Sequence, residues 1–121
     1  IKKYSEKEYK HKFIYDMKNL IYYNIGNPDF QIQDMAKEIG YNADYIRRCF
    51  YEELGKTPHE YLSYLRLEQA KKLLVQENFT GVKDVAYQCG FKDSFYFSTC
   101  FKKAYGVSPS TYRKKKFMNN G

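Results

Sequence analysis

The feature that most constrains this chain is that its second half repeats its first. Asp34, Ala36 and Gly40 recur fifty residues on as Asp84, Ala86 and Gly90. Tyr45, Cys49, Phe50, Gly55, Pro58 and Tyr61 recur fifty-one residues on as Tyr96, Cys100, Phe101, Gly106, Pro109 and Tyr112. The change of offset between the glycine and the tyrosine means that one copy carries an extra residue in a turn. A period of this size marks a supersecondary unit used twice. Each copy has the punctuation of a helix–turn–helix: a short apolar run, a glycine, then a longer amphipathic run.

Local signals extend this pattern along the chain. Ser5, Glu6, Lys7 and Glu8 have the form of a capping box. Tyr9, Phe13, Met17, Leu20 and Ile21 follow at helical spacing until Gly26, Asn27, Pro28 and Asp29. Ile32, Met35, Ala36 and Ile39 form a short stripe closed by Gly40. Asn42 then caps a helix that buries Tyr45, Ile46, Cys49, Phe50 and Leu54 and stops at Gly55. Thr57, Pro58 and Glu60 open a long helix to about Gln76, with Tyr61, Leu62, Leu65, Ala70, Leu73 and Leu74 as its apolar stripe. In the second copy, Val82, Val85, Ala86 and Cys89 make the short helix closed by Gly90. Asp93 caps the next, which buries Tyr96, Phe97, Cys100 and Phe101 before Gly106. Ser108 and Pro109 start a short last helix containing Tyr112. The basic run from Arg113 to Lys116 reads as a solvated tail fraying after Phe117, with a phosphate contact as the alternative.

The predicted fold is all-α, with about seven helices forming two helix–turn–helix subdomains joined by a long central helix. The predicted organisation is an N-terminal helix over 1–28, a first helix–turn–helix over 29–57, a central helix over 58–78, a second helix–turn–helix over 79–117 and a tail over 118–121. The chain begins at Ile1 rather than methionine, so a fragment of a longer protein is expected, with a stand-alone chain as the alternative. Its first helix can then include linker from a missing domain.

Composition narrows the function. Lys and Arg number 21 against 14 Asp and Glu, a net charge of +7. That excess favours an anionic partner such as nucleic acid or an acidic membrane surface, and charge alone does not choose between them. The absence of a long apolar run predicts no membrane span, and no signal peptide is visible. Cys49, Cys89 and Cys100 are odd in number and dispersed, so a disulfide framework is not expected and a reducing, cytoplasmic setting is. All three read as small buried hydrophobes. With His11 and His59 they lack the clustered spacing of a zinc site, and no cofactor is expected. His59, in a first helical turn, is expected to face solvent. A phosphate-cradling loop, a paired-histidine metal helix and a nucleophile elbow are all missing, so the chain does not read as an enzyme.

A helix–turn–helix lays its second helix in the major groove, and neighbouring grooves on one face lie about 34 Å apart. A central helix of about 19 residues would be roughly 28 Å long, enough to hold two reading heads about one DNA turn apart in a single chain. The first head offers Asn42, Ala43, Asp44, Arg47, Arg48 and Tyr51. Both arginines suit guanine or a phosphate clamp. Asp44 can accept from cytosine or simply favour the helix N-terminus. The second head offers Lys92, Ser94, Phe95, Ser98, Thr99, Lys102 and Lys103: weakly reading hydroxyls, a ring suited to a thymine methyl, and lysines suited to phosphates. More hydrogen-bonded base reading is therefore expected from the first. The competing function is a helical protein-interaction module with only non-specific nucleic-acid affinity. The location of the cations separates the two. Cations beside the recognition helices favour DNA. A basic outer face on the first helix, with Lys7, Lys10, Lys12 and Lys18, favours another partner.

From about Asp29 to Lys116 the chain resembles the DNA-binding domain of the arabinose-regulator (AraC/XylS) family of bacterial transcription factors. The most specific part is Ala86, Gly90, Phe91, Tyr96, Phe97, Ser98, Phe101, Lys102, Gly106, Pro109, Tyr112 and Arg113 at fixed spacings. Arg66, Leu67, Ala70, Leu73 and Leu74 also match. The resemblance implies seven helices, two helix–turn–helix subdomains and binding of promoter DNA in two successive major grooves. It places base reading on Asp44, Arg47 and Arg48, then on Ser94, Phe95, Ser98 and Thr99. Two positions depart from the family: Thr99 stands where arginine is common, and Phe95 where a polar residue is common. A regulator of this type is expected to touch RNA polymerase as well as DNA, and to dimerise when full-length through a separate domain. Two heads in one chain make the isolated domain an expected monomer, and no membrane partner is expected.

Overall fold

Ser5 opens the first helix by a reciprocal cap. Its hydroxyl accepts from the Glu8 N–H at 3.1 Å, and the Glu8 carboxylate accepts from the Ser5 N–H at 3.3 Å. The helix so begun is α1 (Glu6–Tyr23). It is followed by α2 (Ile32–Ile39), α3 (Ala43–Leu54), α4 (Pro58–Leu74), α5 (Val82–Gln88), α6 (Ser94–Tyr105) and α7 (Pro109–Asn119). This computed structural model describes residues 5–119. Among the described residues there are seven helices and no strand, so the fold is all-α. The first four residues of the predicted N-terminal segment and the last two of the predicted tail lie outside the described residues.

The chain divides into two compact units. One holds residues up to Asn24 together with Phe30–Ser63; the other holds Ile25–Asp29 and the residues from Tyr64 onward. In the first unit, α1 packs on α3 and α3 on α2. Phe13, Ile14, Met17 and Ile21 of α1, Met35 and Ala36 of α2, and Ile46, Cys49 and Phe50 of α3 are buried. Tyr9 is exposed instead, and Ile14 takes the place in the core that helical spacing gave it. Thr57 caps α4 as expected, its hydroxyl accepting from the Glu60 N–H at 3.1 Å.

The second unit has one apolar core built from Leu67, Ala70 and Leu74 of α4, Val85 and Ala86 of α5, Cys89 and Phe91 of the turn, and Phe97 and Phe101 of α6. Burial pushes the Cys89 thiol up to about 11, the nearby Arg66 guanidinium opposing this, so the thiol is neutral at physiological pH. The connector Ile25–Asp29 is held in this unit by Arg66. Its Nε donates to the Ile25 carbonyl and its Nη2 to the Asn27 carbonyl, each at 2.8 Å. Arg113 is not the start of a solvated tail. It donates to the Leu74 carbonyl at 2.5 Å and the Gln76 carbonyl at 3.1 Å, while its guanidinium lies 4.2 Å from the Phe79 ring centroid. It thereby satisfies carbonyls at the end of α4, which stops at Leu74 rather than near Gln76. α7 accordingly continues as a helix to Asn119.

The repeat is visible in the packing of each unit. α3 and α6 have 12 residues each. Phe50 meets Tyr61 edge-on at 5.4 Å, and the equivalent Phe101 meets Tyr112 edge-on at 5.5 Å. The extra residue lies in the second turn, where Phe91, Lys92 and Asp93 stand in place of Tyr41 and Asn42. The Tyr41 N–H donates to the Ala36 carbonyl and the Phe91 N–H to the Ala86 carbonyl, so both turns leave their first helix in the same way.

Candidate nucleic-acid interface

Each second helix starts on a short polar side chain that fixes where its surface points. The Asn42 side-chain oxygen accepts from the N–H groups of Asp44 at 2.8 Å and Tyr45 at 3.3 Å. The Asp93 carboxylate accepts from Phe95 at 2.8 Å and Tyr96 at 3.3 Å. Identical caps set identical helical phase. In α3, Ile46, Cys49 and Phe50 turn inward. In α6, Phe97 and Phe101 do. The outward stripe is then Asp44, Arg47, Arg48 and Tyr51 on α3, all exposed. Its repeat equivalents on α6 are Phe95, Ser98, Thr99 and Lys102, of which Ser98 is half-buried and the others exposed.

The two stripes differ in chemistry. On α3, Arg47 pairs with Asp44 at 3.0 Å. An exposed i, i+3 pair of this kind is worth at most about 1 kcal/mol, so Arg47 can leave it for a stronger anion. The Arg48 guanidinium sits 5.5 Å from the Tyr45 ring centroid. On α6, Thr99 Oγ1 donates to the Phe95 carbonyl at 3.1 Å, which leaves its hydroxyl as an acceptor. The Phe95 ring is 83% exposed and packs on little. Lys102 and Lys103 stand free in solvent at the C-terminal end, Ser94 is half-buried in the first turn, and Ala43 is exposed at the start of α3. Lys92 is paired with Asp29 at 3.1 Å. The sequence showed no sign of that pairing, because Asp29 read only as a helix-ending residue.

Two expected burials are corrected. Tyr45 is 38% exposed and Tyr96 is 56% exposed. Each phenol is raised above its ordinary value, chiefly by hydrogen bonding to the thiol one turn on, Cys49 and Cys100 respectively. A tyrosine with a wet hydroxyl at the rim suits both apolar spacing and exposure. Cys100 is half-buried, whereas Cys49 and Cys89 are buried. His59 is exposed. Two of the lysines of α1 are locally balanced: Lys10 is bound to Glu52 at 2.6 Å and Lys12 to Asp16 at 3.4 Å. Among the described residues no group of three His, Cys, Asp or Glu side chains could hold a metal, and no helix is long and apolar enough to cross a membrane.

A short helix, a turn and an asparagine- or aspartate-capped second helix with an exposed stripe, present twice, define the helix–turn–helix class. Residues 35–115 match the family described as helix-turn-helix domain. The chain belongs to that family, and its relatives are of the AraC/XylS type. It is similar to RhaR, an HTH-type transcriptional activator of Pectobacterium atrosepticum, at 40% identity over 90 residues, covering 74% of this chain and 31% of that protein. The C-terminal domain of AraT, a response regulator from Geobacillus stearothermophilus, is similar at a TM-score of 0.80 and 29% identity, with 84% of each chain covered. The DNA-binding domain of AdpA, a global transcriptional factor solved in complex with a target DNA, shares the fold. Its TM-score is 0.77 at 24% identity, covering 84% of this chain and 90% of that one. The chain spans about a third of the length of the curated relatives it matches.

Proposed function

We propose that this chain is the DNA-binding domain of a bacterial transcriptional regulator. It binds double-stranded promoter DNA sequence-specifically, with α3 and α6 entering successive major grooves. The observation that carries this is the recurrence of one exposed stripe at equivalent positions of two equally capped helices. In this role, residues 29–57 and 79–117 are the two reading heads and 58–78 the link, helical over Pro58–Leu74. Arg47 and Arg48 read bases or clamp phosphate, Asp44 steers Arg47, and Tyr51 flanks them. Phe95 contacts a thymine methyl, Ser94 and Ser98 donate to phosphate or to base acceptors, Thr99 accepts from a base donor, and Lys92, Lys102 and Lys103 meet phosphates. Asn42 and Ala43 let the backbone of α3 approach the groove. The isolated domain acts as a cytoplasmic monomer with no catalytic role, and the full-length regulator contacts RNA polymerase at the promoter.

Selection of duplexes from a random pool of about 25 base pairs, followed by anisotropy across a salt series, tests this. Two preferred patches about 10 base pairs apart are expected. The logarithm of affinity should fall by about 0.9 per phosphate contact for each log unit of salt. Arg47→Ala should weaken binding about tenfold to a hundredfold and relax preference in one patch, the ~1–3 kcal/mol of a bidentate base contact. An Arg47→Ala protein with unchanged base preference would remove α3 from its assigned role, and a pool without enrichment would remove the reading as a whole.

A further inference from the structure

The second unit has a surface feature that the proposed DNA reading does not use. Phe97 and Phe101 turn the inner side of α6 toward α4 and α7, opposite the exposed stripe. Between the C-terminal half of α4 and α7 runs a groove of about 350 Å³, lined by no residue of α6. Its floor is apolar: Val75 and Tyr112 are half-buried, and the Phe117 ring is 45% exposed. Its rim is basic, with Lys71 and Lys72 from α4 and Lys116 from α7.

The one carboxylate in the lining is already engaged. Glu68 accepts from the Tyr105 hydroxyl at 2.6 Å and pairs with Lys71 at 2.9 Å. Among the described residues, Lys72 and Lys116 make no ion pair; Lys116 lies 5.7 Å from the Tyr112 ring centroid. The walls are held in place before any ligand arrives. Arg113 bonds the end of α4 and stacks 4.5 Å from the Phe117 ring centroid. The groove therefore combines a partly exposed aromatic floor with two cations that make no ion pair, Lys72 sharing the field of Glu68 with Lys71, on a fixed frame. A phosphodiester backbone would answer the cations and leave Val75 and Phe117 covered by nothing. A peptide with carboxylates flanking an apolar side chain answers both.

We propose that this groove docks an acidic, apolar-anchored segment of a protein partner. Carboxylates of the segment meet Lys72 and Lys116, and its apolar side chain packs on Val75 and Phe117. No residue of the α6 stripe lines the groove, so the two sites are built from different side chains.

The probe is a fluorescein-labelled synthetic peptide in which Asp and Glu flank one Leu and one Phe. Its controls replace the acids by lysine or the apolar pair by alanine. Saturable binding is expected, with both controls at least about tenfold weaker. Amide shifts should fall on the second half of α4 and on α7, with or without duplex present. The exposed double substitution Lys72→Glu with Lys116→Glu should cut peptide affinity at least about tenfold and duplex affinity less than about twofold at matched salt. The proposal is overturned by non-saturable peptide binding, by binding that ignores the double substitution, or by a duplex affinity that falls with the peptide affinity. The last outcome would make these lysines phosphate contacts.

Discussion

Gly90→Ala is expected to destabilise the second unit by about 3 kcal/mol or more, a severe effect for a single methyl group. Two costs combine. Gly90 has a φ of 87°, a conformation that costs an L side chain about 1–2 kcal/mol. A Cβ there would also run into the Ile25 carbonyl oxygen and stand 2.8 Å from Arg66 Nε. Neither neighbour can move freely, because they are hydrogen-bonded to each other at 2.8 Å. Relief requires the connector Ile25–Asp29 to lift, which strains or breaks both Arg66 bonds, each worth about 1.5–3 kcal/mol because the donor is charged. Gly106 is the internal control. Its φ is 81°, with nothing within 4 Å of a built Cβ, so Gly106→Ala should cost only about 1 kcal/mol. Urea denaturation of the two variants beside the parent checks this. Equal losses would mean that the connector yields at no cost and that Arg66 does not hold it.

What the sequence revealed and what it concealed follow from how far apart the interacting groups lie. Caps were legible because their partners are two or three residues away: Ser5 with Glu8, Asn42 with Asp44 and Tyr45, Asp93 with Phe95 and Tyr96. The two outward stripes were legible because helical period and cap position fix the phase of α3 and α6. The inner face was legible except at its edges. Tyr45 and Tyr96 keep apolar spacing yet sit at the rim, since a phenol is satisfied half in water. The arginine anchors were hidden for a different reason. Arg66 and Arg113 donate to backbone carbonyls 41 and 39 residues away, and a carbonyl is the same at every residue. Their charge pointed instead toward an anionic partner. Asp29 was hidden likewise, because its hold on Lys92 joins two turns far apart in the chain.

Phe101→Ala should have the largest effect of any single change considered, a loss of about 3–5 kcal/mol. The side chain is fully buried in the second core. Its ring meets Phe97 at 5.8 Å, Tyr105 at 4.7 Å and Tyr112 at 5.5 Å, so its removal leaves three rings facing a void. Those rings are fixed from behind: the Tyr105 hydroxyl is bound to Glu68, and Tyr112 lies in the helix that Arg113 ties to α4. Collapse into the cavity is therefore limited, which puts the cost at the upper end of the range. Against a total stability of about 5–15 kcal/mol, such a loss leaves the domain marginal. Phe95 lies on the same helix and is the comparison that separates packing from recognition. Its ring projects into solvent, so Phe95→Ala should shift stability by no more than about 0.5 kcal/mol while weakening binding of the selected duplex. Denaturation midpoints and anisotropy, measured on both variants, read the two effects independently. A Phe95→Ala protein with unaltered DNA affinity would leave base reading by α6 to Ser94, Ser98 and Thr99, with Lys102 and Lys103 on the backbone. A Phe101→Ala protein with near-parental stability would mean that Phe97, Tyr105 and Tyr112 close over the void, and that the second unit is far more plastic than its ring packing implies.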